Sequence, residues 1–307
     1  MSFRVFTPFY LSIFRHDFRF PQALLLFPIG IAVIWCFDAL RIVALIAIGH
    51  EISPDMALGG FHSQAGWLAF VLVAAGSLVI AYRVRFFSHA TRSAKTSPIN
   101  SNVALLLPLI ALSSTTVLTA ALSADFDWLY PVRVFATIGT LLLLHRHLSG
   151  LFPYQFSFVP IIASVGVFLI WLALVADDAI VNATFAMELS VTAQAIAGFW
   201  IVFRAIGSVA PVPIAEELAF RGYLVERLTG TNPDTRLAFS WPAWIASSVA
   251  FGLLHGAWIA GIAAGLVYGL VRYHRDKITD AIVVHAVTNG AWSLSSWLLC
   301  NSLLCNS

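Results

Sequence analysis

Residues 157–176 read SFVPIIASVGVFLIWLALVA, twenty positions without one charged side chain. At about 1.5 Å per residue a helix of that length reaches about 30 Å, the thickness of a bilayer's hydrocarbon core. The same texture extends in both directions. Of 307 residues 60% are hydrophobic and 10% charged, and the mean hydropathy is +0.87. A soluble domain carries about 25% charged residues, so an ordinary water-soluble globule is excluded, and with it a disordered chain and a secreted disulfide scaffold. The net charge of +2 argues for no polyanionic partner, so nucleic acid is not expected and membrane lipid is. Cys36, Cys300 and Cys305 form no metal-spaced or disulfide pattern.

Apolar runs of this kind predict spanning segments near 22–49, 65–83, 102–123, 128–145, 157–176, 189–208, 241–255, 256–273 and 281–299. The expected fold class is all-α, a polytopic transmembrane helix bundle of about eight to ten membrane segments. The first run is long, and a kink at Pro28 or a break near Asp38 is expected. Basic residues gather at Arg83, Arg85, Arg92 and Lys95, at Arg146, and at Arg272, Arg275 and Lys277. Glu51, Asp55, Asp125, Asp127, Asp177 and Asp178 fall in the alternate loops, which places the basic loops on the cytoplasmic side. That parity fails over 205–229, so the stretch reads either as a partial or re-entrant helix or as one miscounted span. The N-terminal MSFRVFTPFYLSIFRHDFRFPQ has basic residues but no A-x-A-like site before the next apolar run, and reads as retained. The most polar linker, residues 83–101, divides a front part, 1–100, from a rear part, 101–307, and no internal repeat stands out.

Chemistry concentrates in the rear part, beginning with APVPIAEELAFRGYLVERL at 210–228. Pro211 and Pro213 break the preceding helix and preset a new start, with Glu216 and Glu217 in its first turns. Glu217 and Arg221, four apart, share a face and can pair, while Glu216 is turned away by about 100°. One carboxylate can thus be held by the arginine while the other serves as a free acid or base. Each such charge near a bilayer centre costs about 2.5–3.5 kcal/mol, so three within six positions need a reason. The bland alternative is an interfacial helix whose charges meet water and headgroups. Two histidines follow. SSVAFGLLHGAWIAG (247–261) sets Phe251 and His255 four apart at the end of an apolar helix, and ITDAIVVHAVTNGAWS (278–293) sets His285 and Asn289 four apart on one face of the last. A lone membrane histidine is usually a packing residue; two on neighbouring helices downstream of paired glutamates point to a site.

E-E-x-x-x-R, F-x-x-x-H and H-x-x-x-N, in this order on successive membrane helices, resemble the CPBP intramembrane proteases, which include the type II CAAX prenyl endoproteases and bacteriocin-processing enzymes. The resemblance covers about residues 190–300 and rests on Glu216, Glu217 and Arg221, on Phe251 and His255, and on His285 and Asn289. It implies a glutamate-dependent endopeptidase, with or without a metal, located in the bacterial inner membrane and acting near the C-terminus of a membrane-associated, lipidated or sorted protein or peptide. Glu216, His255 and His285 should then converge within the membrane.

The residue types suit that chemistry. Peptide hydrolysis needs an activated water, a stabilised tetrahedral oxygen and a proton for the leaving amine. Glu216 is the candidate general base, and His255 could help to bind the water or a divalent metal. His285 and Asn289 are candidate oxyanion donors, with His285 alternatively a second metal ligand. Glu217 and Arg221 are assigned to orientation, with the arginine also a candidate contact to the substrate's carbonyl or carboxylate. Two histidines and a glutamate match the ligand set of a catalytic zinc, but the spacing is not H-E-x-x-H, so metal and metal-free chemistry both stand open.

The front part has its own resemblance. WCFDALRIVALIAIGHEISPDMALGGFHSQAGW (35–67) resembles the later part of an exosortase, a membrane transpeptidase that uses cysteine, arginine and histidine, with Arg41 and His62 at the arginine and histidine positions. The likeness runs over about 15–83, and proteins that join an exosortase to a CPBP-type protease supply the precedent. The family's nucleophilic cysteine lies on an earlier helix and has no counterpart here; Cys36, five positions before Arg41, reads as a small packing residue. Without a thiolate, acyl transfer by Arg41 and His62 fails. The front is therefore expected to be a truncated or degenerate sortase module, a substrate-docking remnant. A cysteine-bearing helix in frame upstream of Met1 would restore that site.

His145, Arg146 and His147 read as an interfacial helix end, and Trp241, Trp244, Trp258, Trp292 and Trp297 as belt or packing residues. Gly256, Gly261 and Gly265 read as close-packing positions. The rivals of other classes are a non-enzymatic transporter or scaffold and an active sortase. Intramembrane charges spread over many helices and an inverted repeat would favour transport; here the charges are confined to three late segments.

Overall fold

The structure is a computed structural model that describes residues 19–51, 84–87, 101–123, 126–153, 155–175, 192–230 and 236–305, with scattered positions between 54 and 81 and near 188. Every regular element among the described residues is helical. The helices are α1 (Leu26–Glu51, entered through the 3₁₀ turn Gln22–Leu25), α2 (Ser101–Ala121), α3 (Tyr130–Leu143), α4 (His145–Leu148), α5 (Phe158–Leu174), α6 (Gln194–Val209), α7 (Pro211–Glu217), α8 (Val225–Thr229), α9 (Trp241–Gly252), α10 (Trp258–Arg275) and α11 (Ile278–Cys305). A π-helical turn, Leu218–Leu224, joins α7 to α8.

Among the described residues three helical stretches are long and apolar enough to cross a membrane, Gln22–Glu51, Asn102–Ala121 and Gln194–Thr229. A fourth forms if α3 and the following His145–Leu151, bent by 67°, count as one broken span. With the shorter apolar α5, this is a polytopic helical membrane protein.

The chain divides into two compact units, Met1–Pro98 with Thr116–Leu129, and Ile99–Thr115 with Tyr130–Ser307. In the first, α1 runs unbroken through Asp38. Pro28 is its third residue, where a missing N–H removes no helical bond, so neither the kink nor the break is needed. Ala23 and Leu26 pack with Ala81 and Phe87, and the Arg19 amide donates to the Phe87 carbonyl at 2.8 Å. Arg41 pairs with Asp38 one turn away at 2.7 Å. Cys36 is exposed on the same helix. The expected span 65–83, His62 and most of the 83–101 linker lie largely or wholly outside the described residues.

In the second unit α11 is the hub, packing against α5, α6, α7 and α10. Local chemistry sets the ends of its neighbours. The Ser157 hydroxyl accepts from the Val159 amide to cap α5, and that of Ser240 from Ala243 to cap α9. Gly230 closes α8 in the left-handed conformation, φ 63°. Asp276, φ 53°, closes α10, and its carboxylate accepts from Arg272 (2.8 Å) and from the Leu237 amide (3.3 Å).

The stretch 205–229, expected to be either a partial or re-entrant helix or one miscounted span, continues the helix before it, with only Ala210 turning between α6 and α7. The expected span 241–255 is shorter than foreseen. α9 ends at Gly252 after 12 residues, about 18 Å, less than a hydrocarbon core, and His255 lies in the following turn rather than on the helix. Among the described residues two clusters, beside a smaller one of Val225, Leu237 and Tyr273, form the interior of this unit. Ala104, Leu105, Leu144, Leu148, Leu218, Ile278 and Ile282 make one. Val167, Phe220, Phe251, Ala264, Tyr268, Val271 and Val284 make the other, directly beneath the polar residues described next.

Candidate active site

Glu216 and Glu217 occupy the second turn of α7, immediately before the π-helical turn that carries Arg221. Single π turns concentrate at functional sites because the widened turn re-aims the side chains around it. Glu217 and Arg221 have no exposed side-chain surface, and Arg221 Nε lies 3.3 Å from Glu217 Oε2 while Nη1 donates to Oε1 at 3.3 Å. Nη2 donates to the Gly265 carbonyl of α10 at 2.8 Å. The guanidinium carbon sits 4.5 Å from the Phe251 ring centroid and 5.5 Å from that of Tyr268. With the Phe220 ring 5.9 Å away as well, this sealed cation is held by a carboxylate, a carbonyl and three aromatic rings.

The glycines of α10 make that approach possible. A Cβ on Gly265 would stand 3.0 Å from Arg221 Nη2 and 3.1 Å from Ser248 Cα. One on Gly261 would stand 2.9 Å from Gly252 Cα and 3.3 Å from His255 Cβ. Gly256 meets nothing within 4 Å, so the packing role read from sequence applies to Gly261 and Gly265 alone.

His285 lies between the two glutamates. Its Nδ1 is 3.0 Å from Glu217 Oε1, and its Nε2 is 3.7 Å from Glu216 Oε2. An ionised carboxylate only accepts, so Nδ1 carries a proton, and Nε2 faces Glu216. His255 is fixed the same way. Its Nδ1 is 2.9 Å from the Phe251 carbonyl, which also only accepts, leaving Nε2 free at 4.0 Å from Glu216 Oε2. Glu216 Oε2 is buried and makes no hydrogen bond. Two imidazole Nε2 atoms thus converge on one carboxylate oxygen that makes no hydrogen bond. Access is from the His255 side, where a quarter of the side chain is exposed (25%), against 3% for His285 and 10% for Glu216.

Asn289 is one turn beyond His285, and its Nδ2 donates to the Ser208 carbonyl of α6 at 3.0 Å. That bond ties α11 to α6 and leaves one amide hydrogen for another acceptor. Aromatic rings wall the histidines. Tyr268 stacks on His285 (centroids 4.9 Å apart, planes at 22°), Phe251 meets His285 edge-on at 5.4 Å, and Trp171 meets His255 edge-on at 6.2 Å. Tyr268, Trp171 and the Gly265 carbonyl are contributors that sequence reasoning did not single out for the site. No motif marks them, because each acts across helices that are far apart in the chain.

Two bonds of about 2.0–2.1 Å meeting at a tetrahedral angle separate their donor atoms by about 3.4 Å, and two hydrogen bonds to one water by about 4.5 Å. The observed 3.7 and 4.0 Å lie between these spacings. Among the described residues no group of three or more His, Cys, Asp or Glu side chains is drawn into a closed ligand set. The donor types, two neutral imidazole nitrogens beside a carboxylate, nevertheless fit a divalent ion.

Residues 198–291 match the family model described as type II CAAX prenyl endopeptidase Rce1-like, and residues 1–79 match the transmembrane exosortase model. No curated protein and no solved structure matches the chain. The protease-type match spans all of Glu216, Glu217, Arg221, His255, His285 and Asn289. With the apolar spans it supports an intramembrane endopeptidase, an integral membrane protein.

Proposed function

We propose that this chain hydrolyses a peptide bond near the C-terminus of a membrane-associated protein, with Glu216 as general base. The observation that carries the reading is the convergence of His255 Nε2 and His285 Nε2 on the unbonded Oε2 of Glu216. A water lodged between the two imidazoles and the carboxylate gives one hydrogen to Glu216 Oε2 and the other to an imidazole Nε2. Glu216 takes one of its protons, the hydroxide adds to the scissile carbonyl carbon, and the same proton passes to the leaving amine as the C–N bond breaks. Neutral rings protonated at Nδ1 accept at Nε2, so their first task is to hold the water, and the remaining Asn289 N–H is the available neutral donor to the developing oxyanion. Glu217 and Arg221 set the tautomer and direction of His285 and stay out of the reaction. Were a divalent ion such as zinc held by His255 and His285, it would supply a more acidic bound water and positive charge at the oxyanion.

The exosortase-type match over 1–79 inclines the substrate class towards proteins carrying a C-terminal sorting signal, with lipidated C-termini as the competing class. The test is incubation of the purified protein, in a membrane mimic, with membrane-embedded peptides of both classes. Cleavage by the wild type and none by Glu216→Gln supports the reading, and cleavage by both removes Glu216 from it.

A further inference from the structure

We propose that Tyr268 is a positioning residue for this reaction, holding the plane of His285 so that Nε2 stays aimed at Glu216. The inference rests on the protease reading above and adds a residue to it. A single hydrogen bond from Nδ1 to Glu217 Oε1 fixes one corner of the imidazole but leaves the ring free to swing about that contact. The swing carries Nε2 away from Glu216 Oε2, now 3.7 Å distant. Tyr268 removes it. Its ring lies nearly parallel to the imidazole, 22° between planes at 4.9 Å, and Phe251 stands edge-on to the same imidazole at 5.4 Å, so the ring is closed on a face and an edge. Tyr268 itself has no room to turn. It is 2% exposed and packs edge-on against Phe251 at 5.8 Å. It also lies one turn from Gly265, whose carbonyl anchors Arg221, so one segment of α10 fixes both the arginine and the histidine. The function assigned to Tyr268 resides in the ring face and does not require the hydroxyl.

The test compares Tyr268→Phe, which keeps the ring, with Tyr268→Leu, which removes it. Should the leucine variant not fold by melting and size-exclusion profiles, Tyr268→Met takes its place. Steady-state cleavage is expected to give a kcat within about threefold of wild type for the phenylalanine variant. The ring-less variant should lose about tenfold or more in kcat with KM unchanged, as misaimed groups do. Equal losses in both variants, or full activity without the ring, overturn the proposal. Ring-¹⁵N spectra of labelled histidine, assigned with His285→Gln, supply a readout that needs no turnover. A single Nδ1–H tautomer for His285 is expected in all three proteins, because Glu217 sets it, while the Nε2 signal should be sharp and unshifted in Tyr268→Phe and shifted and broadened by ring motion in the ring-less variant. An unchanged His285 signal without the ring sinks the proposal whatever the activity, whereas absence of cleavage by the wild type sinks the protease reading and leaves the spectra to judge Tyr268.

Discussion

Glu217 accepts from His285 Nδ1 at 3.0 Å while its other oxygen faces Arg221 Nε at 3.3 Å, so one buried carboxylate fixes both a cation and a tautomer. Its neighbour Glu216 is left with an unbonded oxygen facing two imidazole Nε2 atoms. Adjacent residues of one helix thus divide into a paired carboxylate and one with an unbonded oxygen. The division follows from the roughly 100° between consecutive side chains, and His285 spans that angle with its two nitrogens.

Glu217→Gln leaves Arg221 as an uncompensated buried cation, with the Gly265 carbonyl and three aromatic rings as its remaining partners. Breaking a buried pair from one side costs about 3–5 kcal/mol. Thermal melting in detergent should show a clear loss of stability accompanied by reduced cleavage. A melting profile equal to wild type would mean that the pair contributes little.

Gly265→Ala places a methyl 3.0 Å from Arg221 Nη2 and 3.1 Å from the Ser248 backbone of α9, so both neighbours must give by a few tenths of an ångström around the buried Arg221. Overpacking of this order costs about 1–3 kcal/mol. Gly256→Ala meets nothing within 4 Å and serves as the control, with stability and activity both unchanged. The contrast is read from paired melting curves and cleavage rates.

Much of this geometry was legible in the sequence where it is local. The four-residue interval between Glu217 and Arg221 predicts their ion pair, and three motifs in order pick out Glu216, His255 and His285, which the structure brings together. What was not legible is long-range. The Arg221 bond to the Gly265 carbonyl spans 44 positions and the His285 bond to Glu217 spans 68, and no periodicity encodes either. Apolar periodicity also hid the end of α9 at Gly252, because Leu253 and Leu254 keep the run hydrophobic while the backbone turns. The π turn likewise has no side-chain signature in LAFRGYL.

His255→Gln and His285→Gln each remove one lone pair from beside Glu216 Oε2. Each should lower kcat by about 10²-fold or more with the protein still folded. Metal analysis and chelation then assign the lost function. One zinc per chain, with activity lost to chelator and restored by zinc, assigns the pair to ligation. Unchanged activity under chelation assigns it to holding the water directly.

Cys36→Ser should be silent in expression, melting and cleavage, because the thiol is exposed on α1 and the proposed chemistry lies wholly in the other compact unit. Loss of cleavage in a normally expressed Cys36→Ser protein would transfer activity to the exosortase-like front.

The central claim is that Glu216 is the base, and the most direct measurement is cleavage of a membrane-embedded C-terminal peptide by wild type and Glu216→Gln side by side, with folding checked by melting. Glutamine keeps the shape and removes the proton acceptor, so cleavage should fall to background in a protein that melts as wild type does. Cleavage at the wild-type rate by a folded Glu216→Gln protein would contradict it.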